Sequence, residues 1–325
     1  MEYANVYGRF GLLGAICGLI FSHAIAQEFP IKPIRIVVPF SAGGGTDALA
    51  RMVAQRLNEV WGQPVIVENR LGSAGNIAAR MVAKSPPDGY ILLMATTSTH
   101  GIGPHLYRDL PYDPVRDFAA VSLVVWAPNV LVVHPSLPVR SVNEFIQLAK
   151  VRPGLLLFSS SGSGSSIHLA GELFKSLAQI DMVHVPYKGA SPALVDLVGG
   201  QTHLMFATVA TVLPFFPQRR LVPLGVTTPK RTSVLPDVPT IASSLPGYEM
   251  SGWIGLLAPA QTPRDVIVKI STEVASLLGT AEAKQRVRTL GWDPVGSGAD
   301  TLTQVIVREL PVYGKIVRDA KMPRE

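Results

Sequence analysis

Twice along this chain a short apolar run breaks into a loop of glycines or serines, and a helix-period segment follows at once. Residues 34–40 (IRIVVPF) lead into Ser41-Ala42-Gly43-Gly44-Gly45. From Thr46 to about Val60 the apolar positions Leu49, Met52, Val53, Leu57 and Val60 then fall on one helical face. Residues 155–159 lead into Ser160-Ser161-Gly162-Ser163-Gly164-Ser165-Ser166, with a helix expected over about 167–177. A nearly continuous apolar run of this length reads as a strand buried on both faces. The same grammar recurs at 65–68, Gly72-Ser73-Ala74-Gly75 and a helix over 76–84, then at a strand over 90–95 and a polar loop over 96–100. Strands alternating with helices predict an α/β fold of mainly parallel sheets flanked by helices.

A second unit is expected from about Pro128. A strand over 130–133 precedes Ser141-Val142-Asn143-Glu144, a capping box opening a helix to Lys150. Strands over 183–185, 204–207 and 221–227 complete the second set. After the proline-rich stretch 235–246 the pattern turns helical. Thr262 is expected to cap a helix with Pro263 in its first position, and Gly279 to stop it. Pro311 should kink a final helix over 301–320. With 325 residues, the chain exceeds the roughly 250–300 that a single core serves, so two domains are expected.

In a parallel sheet, ligands bind beyond the carboxyl ends of the strands, where loops lead into helices. Both the 41–46 and the 160–166 loops belong there. A helix N-terminus offers unpaired backbone N–H groups and about half a positive charge. Glycines admit close backbone approach, and serine hydroxyls add donors. Either loop alone is also what an ordinary strand-to-helix turn looks like; the matched pair favours a pincer for a carboxylate. A hydrogen bond to a charged group contributes about 1.5–3 kcal/mol net. Four to six of them, less immobilisation, reach the ~8 kcal/mol of micromolar affinity without a salt bridge.

Competing chemistries fail on detail. The phosphate-cradling Gly-x-x-x-x-Gly-Lys-Ser/Thr is absent, and Gly162-Ser163-Gly164 lacks the third glycine of a dinucleotide fingerprint. The serine-rich loop beside His168 invites a hydrolase reading, but Gly162-Ser163-Gly164-Ser165 is not the Gly-x-Ser-x-Gly elbow. His168, inside a helix, reads as a packed, hydrogen-bonded residue. His100 and His105, five apart across glycine and proline, lack metal-ligand spacing, so no metal and no cofactor is expected.

Residues 1–26 read as a secretory signal, weakened by Glu2. Arg9 is its basic start, 11–21 its apolar run and Ala24-Ile25-Ala26 its cleavage site before Gln27. The apolar run is shorter than the ~20 residues of a membrane span. Cys17, the only cysteine, follows Ile16 where a lipoprotein signal needs a small residue. A chain beginning at Gln27 then has no disulfide, thiolate or cysteine-bound metal. The net charge of +6 favours anions over a long range, and without a lysine/arginine block nucleic acid is not an expected partner.

The whole mature chain resembles the periplasmic solute receptors of the tripartite tricarboxylate transporter system, the Bug family. The resemblance is carried by KPIRIVVPFSAGGGTDALAR (32–51), GQPVIVENRLGSAGNIAA (62–79), PPDGYILL (86–93) and LYRDLPYDPVRDFAAVSLV (106–124). It continues through SSSGSGSSIHLAGELFK (159–175), HVPYKGASPALVDLVGGQ (184–201), LPDVPTIASSLPGYE (235–249) and WIGLLAPAQTP (253–263). It implies a two-lobed periplasmic-binding-protein fold of the Venus flytrap, type II-like kind. One lobe would combine 27–125 with 241–325, the other would be 126–240.

The resemblance further implies a monomeric, non-enzymatic receptor that takes a small carboxylate between its lobes, partly through water, and delivers it to membrane transporter subunits. Carried over residue by residue, it assigns Phe40, Ser41, Ala42, Gly43, Gly44, Thr46 and Asp47 to one side of the site. Ser161, Gly162, Ser163, Gly164 and Ser165 form the other, with Tyr187 and Ala207 on the cleft wall. Asp47 repels a carboxylate, so its favoured role is charge complementarity in the first helical turn. Residues 97–99, Lys188, Gly189 and 206–208 are further wall candidates. Ala207 stands where relatives often carry a polar residue, Pro217-Gln218-Arg219-Arg220 replaces a glycine-containing turn, and Ala242-Ser243 an acidic position. Two alternatives stand beside transport: a receptor feeding a membrane sensor, and a secreted serine hydrolase.

Overall fold

A computed structural model of the chain describes residues 29–319 together with 322 and 324; the expected secretory signal lies outside the described residues. The first unit opens with β1 (Ile34–Val38), α1 (Gly45–Trp61), β2 (Val65–Asn69), α2 (Asn76–Ala83) and β3 (Ile91–Thr96). A π-helical turn at Ser98–Ile102 runs into the short α3 (Gly103–Leu106), and β4 (Phe118–Ala127) follows. Only Pro128 separates β4 from β5 (Asn129–Val133), where the second unit begins. It continues through α4 (Val142–Lys150), β6 (Leu157–Ser160), α5 (Ser166–Ala178), β7 (Val183–Pro186), α6 (Ala190–Val198), β8 (Leu204–Thr208), α7 (Val209–Val212) and β9 (Val222–Val226). The chain then returns to the first unit as β10 (Gly252–Pro259), α8 (Arg264–Gly279), α9 (Ala281–Thr289), β11 (Asp293–Pro294) and α10 (Ala299–Asp319).

Both sheets are mixed, where the alternation of elements predicts mainly parallel pairing. The first has the order β11-β4-β10-β3-β1-β2 and the second β7-β6-β8-β5-β9. The expected parallel pairs are present: β1 beside β2 and β3, and β6 beside β7 and β8. The strands at the crossovers run the other way. β10 is antiparallel to both β3 and β4, and β5 to both β8 and β9. A strand arriving from the neighbouring unit has no crossover helix to turn it parallel, so it enters its sheet in the opposite sense.

Three apolar clusters hold these layers. Leu49, Val53 and Leu57 of α1 pack with Ile270 and Val274 of α8 on one face of the first sheet. Ala78, Ala79, Leu302 and Val305, from α2 and α10, cover the other. The second sheet has one large core around Val130–Val133, Phe158, Phe174 and Phe206. Tyr313, Ile316 and Val317, at the far end of α10, belong to that second core, so this helix spans both units and runs through Pro311.

The helix starts follow capping chemistry. Ser141 accepts from the Glu144 N–H at 3.2 Å, while the Glu144 carboxylate turns to the Arg140 N–H at 2.7 Å, one residue before the expected box partner. Thr262 does not cap α8. Its hydroxyl donates to the Pro259 carbonyl at 2.7 Å, and Pro263, extended at ψ 139°, precedes a helix that begins at Arg264.

Candidate ligand-binding site

The carboxyl ends of β1 and β6, from different sheets, face one concavity. Phe40 past β1 and Ser161, Ser163, Gly164 and Ser165 past β6 line a space of about 300 Å³. That volume is at the small end of ligand pockets. Ser98 adds a hydroxyl to its rim, Ala74 also borders it, and Ile102 and Leu106 form an apolar wall. Among the described residues lining it there is no lysine, arginine, aspartate or glutamate. An anion seated here would meet neutral donors and the N-terminus of α5.

The first loop is held from below. Asp47, 2% exposed, accepts from the Gly43 N–H at 2.9 Å, from Arg51 Nε and Nη2 at 2.8 and 3.1 Å, and from Asn69 Nδ2 at 3.0 Å. The same Asn69 amide donates to the Phe40 carbonyl at 2.9 Å, which ties a cleft residue to the buried carboxylate. The Arg51 guanidinium, with help from the Gly43 and Asn69 N–H groups, holds the Asp47 carboxyl down at about 2 against the pull of burial. Asp47 therefore shapes the loop and has almost no surface left for a ligand. Ser41, Ala42, Gly43 and Gly44 are exposed and Thr46 half-buried, but none of them lines the concavity. Gly45 is the crowded glycine: a Cβ there would lie 2.6 Å from the Trp292 ring.

In the second loop the residues alternate in role. The Gly162 N–H donates to Ser160 Oγ at 3.1 Å, and the Gly164 N–H to His168 Nδ1 at 3.1 Å. Ser165 Oγ donates to the Gly162 carbonyl at 2.7 Å and accepts from the His168 N–H at 3.2 Å, capping α5. Both glycine amides are thus committed inside the protein. The hydroxyls of Ser161 and Ser163 have no hydrogen-bond partner among the described residues and remain available at the cleft. Ser160 and His184 approach to 2.6 Å, yet Ser160 is fully buried and also bonds Gly162, so the pair presents no nucleophile.

The structure does not bring every wall candidate to the cleft. Ala207 is fully buried within β8, as is Phe206. Tyr187 points its hydroxyl at Asp196 Oδ2, 2.6 Å away; burial and that carboxylate push its phenol up to about 12. Thr97 accepts from the Trp253 N–H and Thr99 bonds back to Thr96, leaving Ser98 as the member of 97–99 that lines the space. Lys188 is exposed outside it. Ala74 was missed, although the repeated strand–loop–helix grammar pointed to its loop. It belongs to four consecutive left-handed residues, Gly72 to Gly75, with φ of 123°, 44°, 50° and 98°. Two of these are not glycines, and such backbone costs about 1–2 kcal/mol per residue. Strain of this kind collects where a loop is held for binding. Leu106, Tyr107 and Met322 carried no sequence signal; α3 and the end of α10 bring them in through tertiary packing.

A protein-family model described as "Tripartite tricarboxylate transporter family receptor" matches residues 49–322. Protein BugT of Bordetella pertussis is 33% identical over 321 residues, covering 98% of this chain and 98% of its own. The solved structure "R. palustris Rpa4515 with adipate" is 38% identical and superposes with a TM-score of 0.80, covering 91% of this chain and all of that one (100%). MatC (Rpa3494) from Rhodopseudomonas palustris with bound malate is 31% identical with a TM-score of 0.74, over 89% of this chain and 100% of its own.

Proposed function

The chain belongs to the tripartite tricarboxylate transporter family of receptors, and from that premise we propose that its cleft takes a small organic carboxylate. Receptors of this family are binding proteins, not enzymes. The observation that carries the proposal is the meeting of the β1 and β6 loops at one space lined by neutral donors. The carboxylate is seated against Ser161 and Ser163 at the N-terminal end of α5, with Ser98 opposite. Its carbon chain lies along Ile102 and Leu106.

The lobes of this proposal are residues 27–125 with 241–325, and residues 126–240. Ile241, Leu245, Tyr248 and Met250, where the chain crosses back, pack in the second core. The mature receptor acts as a monomer after removal of residues 1–26, and hands its ligand to the membrane subunits of a transporter. Nucleic acid has no part in this function.

Thermal denaturation of the purified mature chain, unfolded and refolded to strip bound solutes, tests the reading. A ligand at a hundredfold excess over its Kd stabilises the folded state by about 2.7 kcal/mol, a rise of several degrees in Tm. Adipate, malate and a panel of mono-, di- and tricarboxylates are the probes. The expected result is a selective shift with one carboxylate class, confirmed by calorimetry. Silence across the panel, with a shift for an uncharged solute, would overturn the carboxylate reading.

A further inference from the structure

Beneath the serine–glycine loop two imidazoles lie face to face. The His168 and His184 rings are 3.7 Å apart between centroids and 10° from parallel, and the Phe158 ring lies beside the pair, 4.8 Å from His184 and 6.1 Å from His168. Each ring reaches the loop through one contact. His168 Nδ1 accepts the Gly164 N–H, and His184 Nε2 meets Ser160 Oγ, the atom that binds both the N–H and the carbonyl of Gly162. The two glycines that set the loop's path are thus anchored to the two histidines.

The bonding assigns the proton on His168. A backbone N–H can only donate, so Nδ1 is the bare nitrogen and the neutral ring carries its hydrogen on Nε2. That Nε2 faces the Glu172 carboxylate at 3.7 Å, and Glu172 in turn takes a bond from Lys175 at 3.0 Å. A second proton on His168 would have to sit on Nδ1, directly against the Gly164 N–H, and would end that bond. A proton on His184 would place a positive charge against its neighbour's face. Among the described residues the charged groups around the pair are Glu172 and Lys175, both on α5, with Lys175 also 5.8 Å above the Phe158 ring.

We propose that His168 and His184 are positioning residues for the ligand loop, so that its hold on an anion requires the bare Nδ1 of His168 and is released when that nitrogen takes a proton. This rests on the carboxylate reading of the same cleft. Burial, and then the adjacent His168, holds His184 down at about 4. Glu172 stays below the usual carboxylate range: burial pulls it up, but bonds from His168 and Lys175 outweigh that pull.

The test has one arm without ligand and one with it. In ligand-free ¹⁵N-labelled protein titrated from about pH 8 to about pH 5, the Gly164 amide resonance is expected to move with histidine titration. In His168→Asn, whose Oδ1 stands near the former Nδ1 but does not titrate, it should stay in place. In the second arm, calorimetry measures adipate affinity at about pH 8 and about pH 5.5, the wild type losing about tenfold more than His168→Asn between the two. Adipate's own protonation cancels in that comparison. His168→Phe keeps the stack but removes the acceptor, and should bind about tenfold more weakly than His168→Asn at about pH 8. Should a His168 variant not fold, the Gly164 amide titration of the wild type decides the loop by itself. A Gly164 amide that ignores the titration, or equal acid losses in wild type and His168→Asn, would overturn the proposal. Should adipate bind neither protein, the carboxylate reading fails for this probe while the amide titration still decides the loop.

Discussion

Gly291 offers a way to separate the cost of folding from the cost of bringing the two units together. It follows α9 in the first unit, at φ +73°, with its Cα against the backbone of Ala210 in α7 of the second. A Cβ at position 291 would meet the Ala210 amide nitrogen and lie 2.7 Å from Ala210 Cα and 2.8 Å from its Cβ. The obstacle is backbone, so no rotamer change relieves it. Gly291→Ala therefore carries two penalties of different kinds. The left-handed backbone costs about 1–2 kcal/mol wherever the units stand. The overlap, which demands a separation of roughly 1 Å, costs about 1–3 kcal/mol in the arrangement that places α7 against α9. If a ligand binds by holding both loops, only the second penalty enters its affinity. Adipate or whichever carboxylate proves selective should then bind about 5- to 150-fold more weakly to Gly291→Ala. The local strain should appear separately as a Tm lower by a few degrees. Calorimetry gives the first quantity and thermal denaturation the second, with small-angle scattering of the ligand-bound variant expected to report a less compact particle. An affinity within twofold of wild type, alongside the lower Tm, would refute the argument, because the bound state would then not need this contact.

Two further predictions concern buried carboxylates of opposite sign. Asp47 is depressed to about 2, so its stabilisation is complete above its unfolded pKa of ~3.9 and fades as pH falls through about 2. Discounting for the solvent that screens Arg51, Asp47→Asn should cost about 1–2 kcal/mol in urea denaturation at neutral pH and progressively less toward about pH 2.5; a cost independent of pH would sink this account. Glu309 goes the other way: burial raises it to about 7, although Trp253 Nε1 donates to it at 2.8 Å. Its favourable contribution is present below its unfolded pKa of ~4.3 and lost as pH rises through about 7. Glu309→Gln, which keeps an acceptor for Trp253, should therefore stabilise the protein at about pH 8 and do little at about pH 4.5. The opposite pH ordering would show that the carboxylate is ionised in place.

What was legible in the sequence was local. The strands at 34–38 and 157–160 show as apolar runs, and the loops after them are punctuated by residues that little but a turn tolerates. Asp47 was expected to complement the start of its helix; its carboxylate bonds instead to the Gly43 N–H before the helix and to Arg51 and Asn69. What was not legible depends on partners far away in the chain. Nothing within residues 252–259 says that this strand will insert between β3 and β4, antiparallel to both, since direction is set by the crossover that delivers it. Ala207 was assigned to the cleft by its motif, but β8 is buried on both faces from Leu204 to Ala207, and a strand covered on two sides carries no pattern that tells which face looks at a ligand.

The glycines of the two loops are where the sequence argument most needs revising. Their expected service was to present N–H groups to an anion. Instead Gly43 gives its N–H to Asp47, Gly162 to Ser160 and Gly164 to His168. Their contribution is backbone shape: Gly162 and Gly164 sit at φ of 129° and 76°, a region costly to any residue with a Cβ. Between two glycines turned inward, Ser163 is left outward with a hydroxyl that has no partner among the described residues, and Ser161 flanks it in the same condition. The alternation of serine and glycine therefore divides the labour, with glycines bonding to the scaffold and serines kept for the cleft. A loop fastened in this way has little entropy left to lose when a ligand arrives. That lets a few neutral donors, each contributing about 1.5–3 kcal/mol toward a charged group, hold an anion in a cleft whose described lining carries no cation.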